Sequence, residues 1–349
     1  MKKSHKLDIL FFANISVKGQ ERSIGGATVL AKSILDFIVT NKRINVKHTQ
    51  IRFFWRYKLQ LIDYFIWLFR FPFNIYNKDV VSFHGTKDFH FTIAPLLYLW
   101  ARLFNKKIVY HFFGGNLPEQ YQNLPKFAQG ILKKTILKSD TIFLETLEMI
   151  IFFKKENIKN LEWLPNSRKP VINKLAHKKF TKKFVFISRV IPEKGINEIV
   201  NSSNQLPKEY IMDIYGPIDD RHYKKNIFNN TRANYKGHLD PNNVLSTLSK
   251  YDVLVLPSYF EGEGYPGIVI ESLALGIPVI TTNWKALPEI ITNDDNGLLI
   301  EIRNKKELEK AILFFNDENY PSFRERAFNS FQKFNSEVVF NKIIDSYTN

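Results

Sequence analysis

The chain has 349 residues, with 50 Lys+Arg against 34 Asp+Glu, 15% aromatic residues and no cysteine. That length exceeds one typical core and predicts two domains. The missing cysteine excludes disulfides and thiolate metal sites and fits a reducing compartment, and no segment approaches the roughly 18 uninterrupted apolar residues of a transmembrane helix.

In chain order, the start imitates a signal peptide: basic residues precede an apolar run. Asp8 interrupts that run and no small-residue cleavage site follows, so Leu7–Ala13 reads as a first buried strand. Gly25-Gly26 then precedes a helix over Thr28–Val39; the pair is not G-x-G-x-x-G, so no nicotinamide cofactor is indicated. The segment from Ile51 to Phe73 is dense in aromatics, including Trp55 and Trp67, and carries Arg52, Arg56, Lys58 and Arg70. It reads either as a core helix with a basic outer face or as a surface for an anionic membrane, since aromatic and basic residues both favour bilayer interfaces.

Strands follow at Val80–Phe83, Lys107–Phe112 and Thr141–Leu144, with helices at Ile93–Phe104 and Phe127–Leu137. His111 closes the run Lys107-Ile-Val-Tyr-His, and His84 closes another; residues past the carboxyl ends of parallel strands line ligand crevices. The stretch Leu164–Pro170, a polar turn between prolines, is the best linker. Beyond it the rhythm resumes: Phe184–Ile187, Ile196–Ser203, Tyr210–Tyr215, Val244–Ser249, Val253–Leu256, Ile268–Leu275, Val279–Thr281 and Lys306–Phe315. Strands alternating with helices of this length predict parallel, doubly wound α/β sheets.

Charge is divided unevenly. Residues 1–170 hold 27 Lys+Arg against 12 Asp+Glu, whereas residues 171–349 hold 23 against 22. Compositional drift would affect both halves alike, so an anionic partner is expected for the first.

The second half concentrates the chemistry. Arg189 and Lys194-Gly195 follow a strand, and a planar guanidinium with a compact ammonium suits a diphosphate. Farther on, Glu263-Gly-Tyr-Pro-Gly267 and Glu271 lie between a strand and a short helix, where backbone N–H groups and the helix dipole favour an anion. Leu275-Gly-Ile-Pro-Val-Ile280 and Asp295-Asn-Gly-Leu-Leu-Ile300 complete the set.

These residues resemble the E-x7-E motif and its neighbours in retaining GT-B glycosyltransferases of the glycosyltransferase 4 family, the bacterial surface-polysaccharide type. The resemblance implies two Rossmann-like doubly wound domains facing a central cleft. Residues 1–168 would be the acceptor-side domain and 169–335 the nucleotide-sugar domain, with a last helix in residues 336–349 packing back on the first. It implies transfer, with retention, of a hexose or N-acetylhexosamine from a nucleotide diphosphate sugar (UDP-sugar first, GDP-mannose next) to a lipid-linked glycan acceptor. The setting would be the cytoplasmic face of a membrane, with the protein attached peripherally. On this reading Glu263 and His111 serve catalysis. Glu263 orients the sugar and stabilises its positive charge, and His111 is either neutral toward a sugar hydroxyl or protonated toward the leaving phosphate. Arg189, Lys194, Glu271, Gly264, Tyr265, Gly25, Gly26 and Gly216 would bind the donor, Glu271 through the ribose hydroxyls. Arg52, Trp55, Arg56, Lys58, Trp67 and Arg70 would meet membrane or acceptor. Ser188 departs from the family's glycine and would narrow the backbone approach. No D-x-D is present, so neither a metal nor another cofactor is expected. The rival readings are a GT-B sugar-nucleotide epimerase and a non-enzymatic basic protein binding membrane or nucleic acid; no nucleic-acid motif accompanies the charge.

Overall fold

The structure, a computed structural model, describes residues 6–17, 25–53 and 59–348. The chain divides into two units: one runs to Asn166 and resumes at Glu337, and the other is Ser167–Ser336.

The first unit begins with β1 (Leu7–Ala13), α1 (Gly26–Val39), β2 (Ile44–Thr49) and α2 (Gln60–Ile75). Next come β3 (Val80–Gly85), α3 (Lys87–His90), α4 (Ala94–Leu103), β4 (Lys107–Phe112), α5 (Leu117–Gln122) and α6 (Lys126–Lys134). It continues with β5 (Thr141–Leu144), α7 (Leu147–Lys155) and β6 (Leu161–Trp163). Its parallel sheet has the order β2-β1-β3-β4-β5-β6. Alternating residues serve two cores, as the period of a strand requires. Leu10, Phe12, Val81, Phe83, Ile108 and Tyr110 pack toward α2 and α4. On the opposite face Ile9, Phe11, Val80 and Val109 pack with Leu30 and Ile34 of α1 and with Ile343 and Tyr347 of the C-terminal helix.

The aromatic segment resolves into α2. Tyr64, Trp67, Phe71 and Ile75 are buried, at the spacing that points one helix face inward. The opposite face is apolar where basic residues were expected: Leu61, Phe65, Phe69 and Phe73, four apart, are 58–84% exposed. Trp67 is therefore core and not a membrane or acceptor contact; its indole N–H donates to the Ile51 carbonyl oxygen at 2.8 Å and its ring stacks on Phe53. Arg52 pairs with Asp88 at 2.8 Å, and Arg70 is exposed. Trp55, Arg56 and Lys58 lie outside the described residues.

The second unit contains β7 (Lys183–Ile187), α8 (Ile196–Ser203), β8 (Ile211–Tyr215), β9 (Ala233–Gly237), α9 (Val244–Leu248) and β10 (Val253–Leu256). After these come α10 (Gly267–Ala274), β11 (Val279–Thr282), α11 (Leu287–Ile290), β12 (Gly297–Ile300), α12 (Lys305–Phe314) and α13 (Tyr320–Ser330). The sheet, again parallel, has the order β12-β11-β10-β7-β8-β9. Winding runs one way from β7 and the other way from β10, so the switch point lies between those two strands. Crevices at strand carboxyl ends open at such points. The chain closes with α14 (Ser336–Val339) and α15 (Asn341–Thr348).

Candidate active site

Both loops at the switch point of the second unit carry sequence-predicted residues. The loop after β7 holds Arg189 and Lys194, and the turn from β10 into α10 holds Glu263. Two glycines allow close backbone approaches at these strand ends. Gly195 has φ +79°, and a Cβ there would stand 2.4 Å from the Pro257 carbonyl oxygen, so only glycine lets the Lys194 turn press on the end of β10. Gly216 has φ +142°, and a Cβ there would reach within 1.7 Å of the Ser188 carbonyl oxygen. The tight approach thus falls on Gly216, while Ser188 is accommodated.

The result is a buried ion pair. Lys194 Nζ lies 2.5 Å from Glu263 Oε2, and the two residues are 7% and 6% exposed. The Ser258 hydroxyl donates to the same oxygen. Glu263 is therefore fixed through Oε2, and among the described residues Oε1 accepts no hydrogen bond. Arg189 is exposed, and its guanidinium lies 5.3 Å from the Phe260 ring centre, with Lys194 Nζ at 5.0 Å from the same ring. Two cations thus converge on one aromatic face.

Glu271, one turn into α10, repeats the pattern. Arg168 Nε donates to Glu271 Oε1 at 2.6 Å, and Oε2 accepts nothing among the described residues. A Cβ on Gly267 would meet Arg168 Nη2 at 1.8 Å, so the guanidinium lies against the first residue of the helix. The Arg168 backbone is tied to the far end of the unit: its N–H donates to the Phe334 carbonyl oxygen at 3.0 Å and its carbonyl accepts from Ser336 N–H at 2.9 Å. Arg168 read from sequence only as a linker residue. Its partner is 103 positions away, and no local spacing could have announced it.

Tyr265 belongs to the same turn as Glu263. It is 2% exposed, its hydroxyl donates to Glu289 Oε2 at 2.5 Å, and its ring sits edge-on to Phe334. Its side chain anchors the turn to the core, leaving only backbone for a donor; Gly264 beside it is half-buried. Gly25 caps α1 with extended backbone, its N–H donating to Thr28 Oγ1 at 3.1 Å, and a Cβ on Gly25 or Gly26 would meet nothing within 4 Å.

In the first unit His111 is fully buried in β4, in register with His84 of β3. Desolvation pushes its pKa down to about 3. With no anion beside it, the imidazole is therefore neutral in the neutral pH range.

Residues 167–330 match the family model described as "Glycosyl transferases group 1". Among curated relatives, an N,N'-diacetylbacillosaminyl-diphospho-undecaprenol alpha-1,3-N-acetylgalactosaminyltransferase of Campylobacter jejuni is 26% identical over 180 residues, covering 51% of this chain and 42% of that protein. The capsular polysaccharide biosynthesis glycosyltransferase CapM of Staphylococcus aureus is 28% identical over 188 residues, covering 49% of this chain and 47% of the relative. The chain spans less than half the length of these relatives. Two solved structures share the fold along nearly the whole chain. Anabaena Alr3699/HepE in complex with UDP has a TM-score of 0.75 at 13% identity, covering 98% of this chain and 100% of that one. Sucrose-phosphate synthase from Thermosynechococcus elongatus has a TM-score of 0.73 at 14% identity, covering 98% of each. The chain has the two-domain GT-B fold, and its second unit is similar in sequence to the group 1 glycosyl transferases.

Proposed function

We propose that this chain is a retaining, metal-independent glycosyltransferase. It moves a hexose or N-acetylhexosamine from a nucleotide diphosphate sugar, UDP-linked in first place and GDP-mannose next, to a glycan carried on a lipid. The observation that carries this reading is the pair of half-occupied glutamates on one strand–turn–helix unit. Glu263 and Glu271 each have one oxygen tied to a cation and the other open toward a ligand. In the mechanism, the donor's diphosphate gives Lys194 and Arg189 a competing anion, and their charge grows in value as the leaving group departs. Glu263, relieved of part of its ion pair, faces the sugar as its ring becomes oxocarbenium-like. Glu271, oriented by Arg168, accepts from a ribose hydroxyl through Oε2. With three arginine and lysine side chains at the site, leaving-group charge is met without a divalent ion.

The lipid-linked acceptor and the membrane rest on different support. The outer face of α2, with Leu96, Leu99 and Leu103 exposed on the neighbouring α4, is an apolar surface in the half of the chain that carries the excess positive charge. An anionic bilayer matches both properties. The Campylobacter relative's name specifies a diphospho-undecaprenol acceptor, and HepE is known in complex with UDP.

The test is transfer itself. Purified protein would be incubated with radiolabelled UDP- and GDP-sugars and bacterial lipid-linked glycans, and label entering the organic phase would be counted. Incorporation by wild type, strongly reduced in Glu263→Gln, is expected. Absence of labelled product with every donor would overturn the proposal.

A further inference from the structure

Beneath His111 runs a chain of buried polar side chains that the transfer chemistry does not use. On β3, Val80, Ser82 and His84 alternate toward one face of the sheet, and His84 pairs in register with His111 on β4. Helix α15 lays Tyr347 over that same face. The four polar residues are 0–2% exposed. Tyr347 Oη lies 2.8 Å from Ser82 Oγ, Ser82 Oγ lies 2.8 Å from His84 Nε2, and His84 Nδ1 lies 3.2 Å from His111 Nδ1. The chain ends at His111 Nε2, which is buried and has no partner among the described residues.

A neutral imidazole offers one N–H and one lone pair, so the chain can run in two directions. Burial keeps both rings neutral, His84 having a pKa well below the usual value. In the first direction Tyr347 donates to Ser82, Ser82 to His84 Nε2, and His84 Nδ1–H to His111 Nδ1. Every hydrogen finds an acceptor except the one then carried by His111 Nε2. In the reverse direction His111 Nδ1–H donates to His84 and His84 Nε2–H to Ser82. The Ser82 and Tyr347 hydroxyls are left with only each other, so one hydroxyl hydrogen is buried without an acceptor and the His111 Nε2 lone pair is also unmet. Unmet buried polar groups are costly, and the first direction leaves one where the second leaves two.

We propose that Ser82, His84 and Tyr347 are positioning residues that fix the tautomer of His111, which carries its proton on Nε2 and presents it to an acceptor oxygen of a sugar hydroxyl. The ligand half of this proposal rests on the reading of His111 as the group that touches sugar; the tautomer half does not. A Ser82 hydroxyl removed from the chain releases the bias, because His84 Nε2 then has neither donor nor acceptor to face.

The test is two-bond 1H–15N correlation spectroscopy of the full chain labelled with 15N-histidine, with His111→Gln assigning its signal among the eight histidines. Wild type at pH 7 should show His111 protonated at Nε2 and bare at Nδ1. Ser82→Ala should populate the other tautomer, and Ser82→Thr, which keeps the hydroxyl, should restore the wild-type pattern. A proton on Nδ1 in wild type, or an unchanged tautomer in Ser82→Ala, overturns the tautomer proposal. UDP-N-acetylglucosamine or UDP-glucose should shift the Nε2–H signal more than UDP does. A sugar nucleotide that raises the melting temperature yet leaves that signal in place overturns the ligand half. Because the tautomer is read without ligand, its failure is distinguishable from failure of the donor reading.

Discussion

At Glu263 the carboxylate is already oriented before any ligand arrives, since Lys194 and Ser258 both hold Oε2. Replacing it with Gln keeps the size and removes the charge that the developing cation needs. Turnover should fall roughly 100-fold, with donor affinity little changed, as measured by initial rates and donor titration. Burial also leaves a signature in stability. His90 and His111 are each pushed down to about 3 by desolvation, and His84 is lowered well below its usual value. The unfolded chain protonates these side chains near pH 6.5 and the folded chain does not. Their contribution is therefore full above about pH 6.5 and is lost as pH falls toward about 3. Urea midpoints measured from pH 7 to pH 4 should decline steadily, and the decline should be shallower in His90→Gln. At this scale Arg189 with Lys194, and Glu263 with Glu271, were legible as candidates because each pair stands in a short contiguous motif whose spacing survives folding. The Arg168–Glu271 pair and the hydroxyl–imidazole chain were not, because each joins residues that only the tertiary fold brings together.

Among elements, the strands absent from the sequence reading are instructive. β2, β6, β9 and β12 are the four edge strands of the two sheets. Ile44–Thr49 is buried at Ile44 and half-buried or exposed beyond it, and Leu161–Trp163 is nowhere buried. β2, β6 and β9 mix polar with apolar residues, so they lack the continuous apolar run that marked β1, β3, β4, β7 and β10. β12, by contrast, is apolar but short and begins at the Asp295-Asn-Gly turn. Helix α2 was ambiguous for the opposite reason. Aromatic residues lie on both of its faces, and only the docking of Trp67 and Phe71 on β1 and β3 decides which face looks out. Its outward phenylalanines then yield a prediction. Changing Phe65, Phe69 and Phe73 to Ser should leave the melting temperature nearly unchanged, because all three are exposed. It should strongly reduce co-sedimentation with vesicles containing anionic lipid. Vesicle binding that matched wild type would remove this face from the membrane reading.

Over the whole molecule, the proposed function divides between the units as charge does. Among the described residues no helix is long and apolar enough to cross a membrane, and the excess of Lys and Arg lies before residue 171. Vesicle binding should therefore weaken as salt shortens the Debye length from about 10 Å at 0.1 M to about 3 Å at 1 M. Nucleotide binding, centred on the β7 and β10 loops, should vary much less. The proposed transfer requires above all that these loops hold a nucleotide diphosphate. Isothermal calorimetry of UDP and GDP in excess EDTA, with wild type and Arg189→Ala in parallel, tests it most directly; Arg189 is exposed, so its removal should not disturb the fold. At least one nucleotide should bind wild type without metal and bind the variant about tenfold or more weakly, a difference of about 1.4 kcal/mol. Binding of equal strength to both proteins, or to neither, would contradict the assignment of this site.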